Sequence, residues 1–335
     1  MKSRNYIFVL LTALLLLAAV GYFFAGHSAG NLPTNGDKVS LRLAWLPGPT
    51  FAGDYAAFYN GFWDKKNLAV EIRPGGFEYD AIKQVASGAD TFGVTNGPQL
   101  LLARANGVPV VAIGAVIPRS PIGWVAKESS GIKHPQDFIG KKIGAEYGTY
   151  TEVTFEALCA KLGISLDSLT RVPVKFDPRP FVAGEIDVLP VYIIDQPIDL
   201  GAQGIKLNII DPVDYGVSLA YGNVYFTTEK TIKERPDLVR AFLQGAQQGW
   251  IWARQHQDET VQLLLQAAPD ANRTILTEKL KQTFVFIQNS EANYPGIYPM
   301  ESTRWADTAT LLSRFGELKG AVQVSEAYSN SFLTK

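Results

Sequence analysis

Aromatic side chains recur where a predicted strand ends and a loop or helix begins. Rings at such positions can stack on both faces of a flat ligand, whereas a small sulfonate or other oxyanion requires N–H donors and an arginine. Aromatic residues at helical spacing also commonly belong to a hydrophobic core. The pattern favours a site for a planar N-heterocycle, and a pyrimidine and a flavin are both compatible with it. The aromatic residues are Trp45, Phe51, Tyr55, Tyr147, Tyr150, Tyr192 and Tyr215.

Glycine, amide and guanidinium groups accompany the rings of the first half of the chain. Gly75, beside Gly76, would let the backbone approach a ligand closely, or would form a turn. Asn96 and Gln99 follow a strand and precede a helix. They could hold the polar edge of a ligand through the Asn96 amide and backbone N–H groups, or serve as a helix cap. Arg119 could pair with an anionic ligand group or with a carboxylate at a hinge.

A second strand–loop–helix unit repeats this geometry at 144–151. Gly148 and Thr149 offer N–H donors and a hydroxyl group at a helix start, where an anion or a carbonyl oxygen can bind. Asp195 could accept a hydrogen bond from the amino group of a heterocycle, or cap the helix that follows it. Tyr215 is predicted to close over the ligand from a second crossing between two lobes.

Residues suited to catalysis or metal binding are sparse. The chain has three histidines, far apart, and one cysteine, Cys159. It therefore has neither an internal disulfide nor a Cys/His cluster for zinc, and we expect no metal and no cofactor. The net charge is −1 and there is no basic run, so nucleic acid is not expected as a partner.

Alternating strands and helices position the candidate residues. The order β-α-β-α-β is typical of a parallel sheet covered on both faces, and the apolar run at 108–116 is typical of a buried parallel strand. Strands are predicted at 41–45, 70–72, 91–94, 108–116, 122–126, 172–174, 186–192 and 207–210, and helices at 53–66, 80–87, 99–106, 152–162, 237–254, 260–266, 277–286 and 302–314.

Two crossings, near 118–124 and 214–224, divide this series of elements. We therefore predict an α/β fold with two lobes joined by a two-strand hinge. Lobe 1 comprises residues 39–117 and 224–335, and lobe 2 comprises residues 118–223. Such a hinge allows two lobes to close on a ligand held between them.

The N-terminal segment, residues 1–30, has the features of an export signal. Lys2 and Arg4 precede an uncharged stretch at 6–26 that ends in small residues. This stretch is about as long as the ~20 residues that span a bilayer, so it is either a cleaved signal peptide or an uncleaved membrane anchor. Residues 31–38 are predicted to be a flexible tether. Both alternatives place the rest of the chain outside the cytoplasm.

Short motifs in a fixed order resemble a family of bacterial solute-binding proteins that share a fold with the thiamine-pyrimidine synthases. That family includes binding proteins for pyrimidine precursors of thiamine and for riboflavin, and sulfonate-binding proteins are more distant relatives. The resemblance covers roughly residues 39–265. The motifs are AWLP at 44–47, FAG at 51–53, RPGG at 73–76, QVASG at 84–88, GEIDV at 184–188, DYGV at 214–217 and RPDLV at 235–239.

The resemblance implies a type II periplasmic binding protein fold. It also implies delivery of a solute to the permease and ATPase of an ABC importer, in the periplasm or at the outer face of the inner membrane. The implied ligand is a pyrimidine precursor of thiamine, with riboflavin or a sulfonate as alternatives. The family's synthases use a cysteine-rich motif and a histidine that supplies the pyrimidine. Cys159 lies in a predicted helix and no histidine lies near the predicted cleft. A non-enzymatic protein is therefore expected, with a synthase or a membrane-tethered sensor as alternatives.

Overall fold

Two five-stranded mixed sheets, covered by helices, organise the protein. The structure, a computed structural model, describes residues 36–76, 78–175, 177–290, 296–315, 318, 320 and 322–333. The strands are β1 (Asp37–Arg42), β2 (Leu68–Arg73), β3 (Phe92–Thr95), β4 (Val110–Arg119), β5 (Ile122–Lys127), β6 (Lys142–Ala145), β7 (Thr170–Pro173), β8 (Val188–Tyr192), β9 (Leu207–Ile210) and β10 (Ala220–Thr228). The α-helices are α1 (Ala52–Tyr59), α2 (Ala81–Ala86), α3 (Gly97–Ala105), α4 (Tyr150–Leu162), α5 (Arg179–Ala183), α6 (Gln196–Ala202), α7 (Glu229–Glu234), α8 (Pro236–Gln255), α9 (Gln257–Ala267), α10 (Arg273–Ser290) and α11 (Ser302–Arg314).

The first sheet has the strand order β2-β1-β3-β10-β4. β1 is parallel to β2 and β3, whereas β10 lies antiparallel between β3 and β4. The chain therefore leaves this sheet after β4, builds the second sheet, and returns with β10. We call the part of the protein around the first sheet lobe 1.

The second sheet has the order β7-β6-β8-β5-β9 and forms lobe 2. β6 is parallel to β7 and β8, whereas β5 is antiparallel to β8 and β9. In both lobes, parallel strands end at one edge of the sheet and lead into a loop and a helix. The predicted α/β class is therefore confirmed.

The packing of α1 on α8 forms much of the lobe 1 core. Pro236 occupies the first turn of α8, where its missing N–H costs no hydrogen bond. Phe242 and Trp250 recur at helical spacing on the buried face of α8. The two helices meet at glycines, because a Cβ atom on Gly249 would lie 2.1 Å from the carbonyl oxygen of Gly53.

The helix predicted at 53–66 is shorter in the structure, where α1 ends at Tyr59. Gly61 has a φ of +66°, a conformation that ends the helix, and a separate 3₁₀ turn follows at Asp64–Lys66. Trp63 nevertheless lies in the core, with its ring centroid 5.5 Å from that of Phe242.

β4 is buried as predicted, but its parallel pairing was wrong. It pairs with β10, which is antiparallel to it. β4 lies at the end of the sheet order, and two segments from the C-terminal part of the chain bridge to it. Tyr298 pairs with Ala115 and Tyr328 pairs with Ala112. These bridges cover the strand, which explains why an edge strand has the uniformly apolar sequence of a central one.

Helix α11, which we call the strap, crosses the hinge between the lobes. On the lobe 1 side, Thr308 accepts a hydrogen bond of 3.0 Å at Oγ1 from the N–H of Ala220, the first residue of β10. Trp305 packs on Tyr221, with 5.3 Å between ring centroids. On the lobe 2 side, Leu311 packs against the hydrophobic core of that lobe. The strap therefore contacts both lobes beside their crossings.

β10 is irregular where it enters lobe 1. Its pairing with β4 shifts register between Ala220 and Asn223, and Tyr221 has a φ of +58°. Left-handed backbone is unfavourable for a tyrosine, and surrounding contacts must hold it. The Tyr221 hydroxyl accepts a hydrogen bond of 2.6 Å from the N–H of Glu301, and the side chain is fully buried.

A carboxyl group lies buried in the lobe 1 core. Asp54 is 1% exposed and accepts a hydrogen bond from the Tyr225 hydroxyl, which itself accepts one of 2.8 Å from Trp250 Nε1. Burial raises the pKa of Asp54 to about 7, although the hydrogen bond from Tyr225 opposes the shift. A group that titrates near neutral pH therefore lies inside this lobe.

The predicted signal peptide or anchor, residues 1–30, lies outside the described residues and stays a prediction. The predicted tether, residues 31–38, extends too far, because Asp37 and Lys38 already belong to β1 and pair with residues of β2. Within the described ranges, none of the helices combines the length and the apolar character needed to cross a membrane.

Candidate functional site

The loop after β1 carries an exposed indole ring. Trp45 is 41% exposed, and its carbonyl oxygen accepts a hydrogen bond of 3.0 Å from the N–H of Gly75. A Cβ atom on Gly75 would lie 2.1 Å from the carbonyl oxygen of Leu43. The close approach that requires a glycine here is thus made by the protein's own backbone, which fixes the loop carrying Trp45.

Phe51 and Tyr55, predicted as ligand contacts, lie instead in the lobe 1 core. They are 2% and 5% exposed, respectively. Tyr55 stacks on Tyr59 with 6.4 Å between ring centroids, and burial together with the charge of Asp54 holds the pKa of Tyr55 well above its ordinary value. The structure therefore places both rings in the core, which is the alternative that the sequence left open.

Asn96 caps helix α3. Its Oδ1 atom accepts a hydrogen bond of 2.9 Å from the N–H of Gln99, and the residue is 8% exposed. The Gln99 side chain is exposed and accepts a hydrogen bond of 3.2 Å from the Thr95 hydroxyl. The cap alternative holds for Asn96, while Gln99 presents a polar side chain at the carboxyl end of β3.

Arg119 forms an ion pair with a carboxylate at the hinge, which is one of the two alternatives that the sequence left open. Its Nη2 atom lies 2.8 Å from Oδ2 of Asp211, and its guanidinium lies 4.0 Å from the ring centroid of Phe286 on α10. Both partners of the ion pair are largely shielded from solvent. Arg119 is therefore engaged within the protein, between the end of β4 and the residue after β9.

The loop after β6 is built by its own hydrogen bonds. Gly148 has a φ of +69°, and its N–H donates 2.7 Å to Oε2 of Glu152. Thr149 caps α4 by accepting from the N–H of Thr151, at 3.2 Å, and donates from its hydroxyl to the carbonyl of Glu146, at 2.7 Å. The conformation of this loop is thereby fixed at the N-terminus of α4.

Tyr147, next in this loop, is the exposed ring of lobe 2. It is 48% exposed, and the guanidinium of Arg171 lies 5.3 Å from its ring centroid. Arg171 in turn pairs with Glu152 and Glu156, each at 3.2 Å. Tyr147 follows β6 as Trp45 follows β1, so each lobe exposes an aromatic ring beyond the carboxyl end of a parallel strand.

Tyr150 and Tyr192 are brought together by a hydrogen bond between their hydroxyl groups. Burial raises the pKa of both residues, that of Tyr192 to about 12. The negative charge of Glu146 contributes to the shift of both residues. Residues from the end of β6, the start of α4 and the end of β8 therefore converge.

The sequence prediction missed two polar groups at this convergence, Glu146 and Thr151. Glu146 is 5% exposed and Thr151 is 3% exposed. Both line a small pocket, together with Trp124 and Phe155. The Thr151 hydroxyl has no hydrogen-bond partner among the described residues. Glu146 directly follows β6, and its position at the end of a strand could have identified it as a candidate site residue.

Tyr215 is not among the residues that converge at the ends of β6 and β8. Its hydroxyl lies 3.1 Å from Nδ1 of His134, and its ring packs against the lobe 2 core. Asp195 occupies the N-cap position of α6 without a side-chain cap hydrogen bond. Its Oδ1 atom lies 2.5 Å from Nζ of Lys279 on α10, so neither alternative predicted for Asp195 describes its contact.

The sheet order and the site geometry define a protein of the type II periplasmic binding protein fold. Comparison with known proteins agrees, since the crystal structure of the periplasmic aliphatic sulphonate binding protein SsuA from Escherichia coli superposes with a TM-score of 0.71. The alignment covers 87% of this chain and 97% of that one, at 14% identity. The fold predicted from the sequence is therefore confirmed.

The chain belongs to the NMT1/THI5-like family, whose profile matches residues 48–260. It is 28% identical to the riboflavin-binding protein RibY of Chloroflexus aurantiacus, over 88% of this chain and 86% of that protein. It is 25% identical to the formylaminopyrimidine-binding protein of Halalkalibacterium halodurans, over 88% and 90%. It is 24% identical to the 4-amino-5-hydroxymethyl-2-methylpyrimidine phosphate synthase of Legionella pneumophila, over 88% and 92%. The predicted family is confirmed.

Proposed function

We propose that this protein is the extracytoplasmic solute-binding component of an ABC importer. In this proposal its two lobes close on an aromatic N-heterocycle, a pyrimidine precursor of thiamine. Riboflavin is the second candidate, because the RibY relative is named for it. The closed form would dock on a permease that is driven by an ATPase. Export through the N-terminal segment, whether cleaved or retained as an anchor, belongs to the same proposal.

One observation carries the proposal. Trp45 in lobe 1 and Tyr147 in lobe 2 are exposed rings that both follow parallel strands. Ligands of open α/β sheets bind at the carboxyl ends of the strands. Two rings at these positions suit a flat ligand that stacks on both.

The buried carboxylate of Glu146 favours a heterocycle over a sulfonate. A sulfonate carries a full negative charge, and the carboxyl group of Glu146 offers no positive charge to compensate for burying it. An amino group or ring N–H of a pyrimidine would instead donate a hydrogen bond to Glu146, and the Thr151 hydroxyl could serve a ring nitrogen.

The synthase alternative lacks its reactive groups in the described part of the chain. Cys159 is 1% exposed, and burial raises the pKa of its thiol to about 12. His134 is bonded to Tyr215, and His256 stacks on Trp252 with 4.6 Å between ring centroids. Neither of these histidines is among the residues that converge at β6 and β8. These placements support a binding role.

A ligand screen tests the proposal. Small molecules released from the purified protein by denaturation would be identified by mass spectrometry. The ligand-free protein would then be tested by thermal shift with 4-amino-5-hydroxymethyl-2-methylpyrimidine, riboflavin and an alkanesulfonate. We expect the pyrimidine to raise the melting temperature, since ligand at 100 times Kd stabilises the fold by about 2.7 kcal/mol. A shift with the sulfonate alone, or no shift at millimolar concentrations, would contradict the proposal.

A further inference from the structure

Helix α10 is fixed to lobe 1. Leu276, Leu280 and Ile287 are buried in the core cluster that contains the first sheet. The helix also packs against the turn Pro49–Phe51, which follows the Trp45 loop. Near its C-terminal end, Phe286 lies under the guanidinium of Arg119 at the hinge. α10 therefore belongs to lobe 1 and packs beside the turn that follows the Trp45 loop.

Lys279 reaches from this helix to lobe 2. Its Nζ atom lies 2.5 Å from Oδ1 of Asp195 and 2.7 Å from Oδ2 of Asp199, at opposite ends of the first turn of α6. The Lys279 side chain is only 14% exposed. Burial lowers the pKa of Lys279, but the charges and hydrogen bonds of the two aspartates outweigh burial and raise it. The ammonium group is therefore charged and shared by two carboxylates.

An apolar contact between the lobes adjoins this ion pair. Ile194, next to Asp195, is 4% exposed and belongs to the core cluster of lobe 1 although it follows β8 of lobe 2. Val153 of α4 belongs to the same cluster and is 1% exposed. Separation of the lobes would expose both side chains to water and would pull the aspartates away from Lys279.

We propose that Lys279, Asp195 and Asp199 form a latch that holds the two lobes closed. The latch and the Arg119–Asp211 pair contact the same helix, because Lys279 lies seven residues, or about 10 Å along α10, from Phe286, which packs on Arg119. Because it makes no use of ligand, it contributes to the ratio of open to closed protein in the ligand-free state, together with the apolar contact at Ile194 and Val153. Its effect on ligand exchange rests on the proposed function, whereas its effect on lobe separation does not.

The test measures the distance between the lobes in the full chain. Spin labels would be attached at Lys83→Cys in lobe 1 and Ile139→Cys in lobe 2. These positions are exposed, with 82% of the Lys83 side chain and 56% of Ile139 accessible. Cys159 would be replaced by alanine throughout. In double electron–electron resonance, Lys279→Met should increase the ratio of open to closed protein about tenfold, as the loss of a partly buried ion pair implies.

Lys281→Met is the matched control, since it removes one positive charge from the exposed face of the same helix. It should leave the distance distribution unchanged. The double variant Asp195→Asn with Asp199→Asn should reproduce the effect of Lys279→Met, and it serves as the test if Lys279→Met fails to fold. Distributions identical to that of the parent protein in the variants that fold would overturn the latch. Because no ligand enters this measurement, a failed ligand screen leaves its outcome unaffected.

Discussion

At the scale of single residues, the aromatic residues predicted to contact the ligand fall into an exposed group and a buried group. Trp45 and Tyr147 are exposed, whereas Phe51 and Tyr55 lie in the core. Their sequence positions gave no way to distinguish them, because all four lie at or after the end of a strand. Burial depends on what packs opposite a residue, and the partners of Phe51 and Tyr55 come from distant parts of the chain.

Trp45→Ala tests the stacking role of the exposed ring. Loss of the indole should weaken binding of the ligand found in the screen by about fivefold to one hundredfold, since stacking contributes about 1–3 kcal/mol for a planar base. Isothermal titration would measure the affinity. Tyr79→Ala is a suitable control, because Tyr79 is also an exposed ring of lobe 1, 50% accessible, but lies outside the predicted site. Equal affinity of Trp45→Ala and the parent protein would remove Trp45 from the site.

The polar residues show which features of a site can be predicted from local sequence. The Asn96 cap and the Thr149 cap could be predicted, because their hydrogen bonds join residues two or three positions apart. The contact between Asp195 and Lys279 could not, because it joins residues far apart in the chain and depends on how α10 lies on lobe 1. Glu146 could have been found, because it directly follows a strand.

At the scale of elements, the strap determines how β10 enters lobe 1. The N–H of Ala220 points to Thr308 in a buried position where water cannot replace the acceptor. The strap has further polar contacts at its N-terminal end, where the N–H of Glu301 donates to the Tyr221 hydroxyl and Arg304 donates to the carbonyl oxygen of Pro118. Its contacts at Trp305 and Leu311 are apolar. The hydroxyl of Thr308 is therefore a buried polar group that aligns the strap with the first residue of β10.

Thr308→Val removes this acceptor while keeping the shape of the side chain. We expect it to lower the free energy of unfolding by about 1–3 kcal/mol, the cost of a buried N–H without a partner. Thr310→Val on the exposed side of the same helix removes only a bond to Ala306 and should change stability by less than about 0.5 kcal/mol. Urea unfolding would measure both. Equal effects of the two variants would mean that the Ala220 bond contributes nothing specific.

The elements also show where periodicity stops being informative. Helical spacing continues from Tyr59 to Trp63, but the positive φ of Gly61 ends α1 before that point. The apolar run of β4 predicts a buried parallel strand, whereas β4 pairs with the antiparallel β10. An apolar run reports burial on both faces, and burial does not distinguish a sheet neighbour from the C-terminal segments that bridge to β4.

At the scale of the whole molecule, the buried Asp54 makes stability depend on pH. Its folded-state pKa, about 7, lies above the ordinary value of 3.8 for an aspartate. Between these values the folded protein holds a proton that the unfolded chain has released. The unfolding free energy therefore falls as pH rises from about 4 to about 7, and the contribution of Asp54 levels off above pH 7.

Asp54→Asn removes this titration and keeps an oxygen that can accept from Tyr225. We expect the parent protein to lose more thermal stability than the variant between pH 5 and pH 8. Differential scanning calorimetry at a series of pH values would measure the difference. Parallel curves for the two proteins would show that Asp54 is ionised across this range in the folded state.

The position of β10 has a consequence for how the protein is made. β10 lies between β3 and β4, yet it is synthesised only after all of lobe 2. The five strands of lobe 2 are contiguous in the chain, so its sheet can form as soon as the ribosome has passed β9. Until β10 has been synthesised, the edges of β3 and β4 that pair with it remain unpaired. During that interval a chaperone that keeps the nascent chain apart from other chains would protect lobe 1 from aggregation.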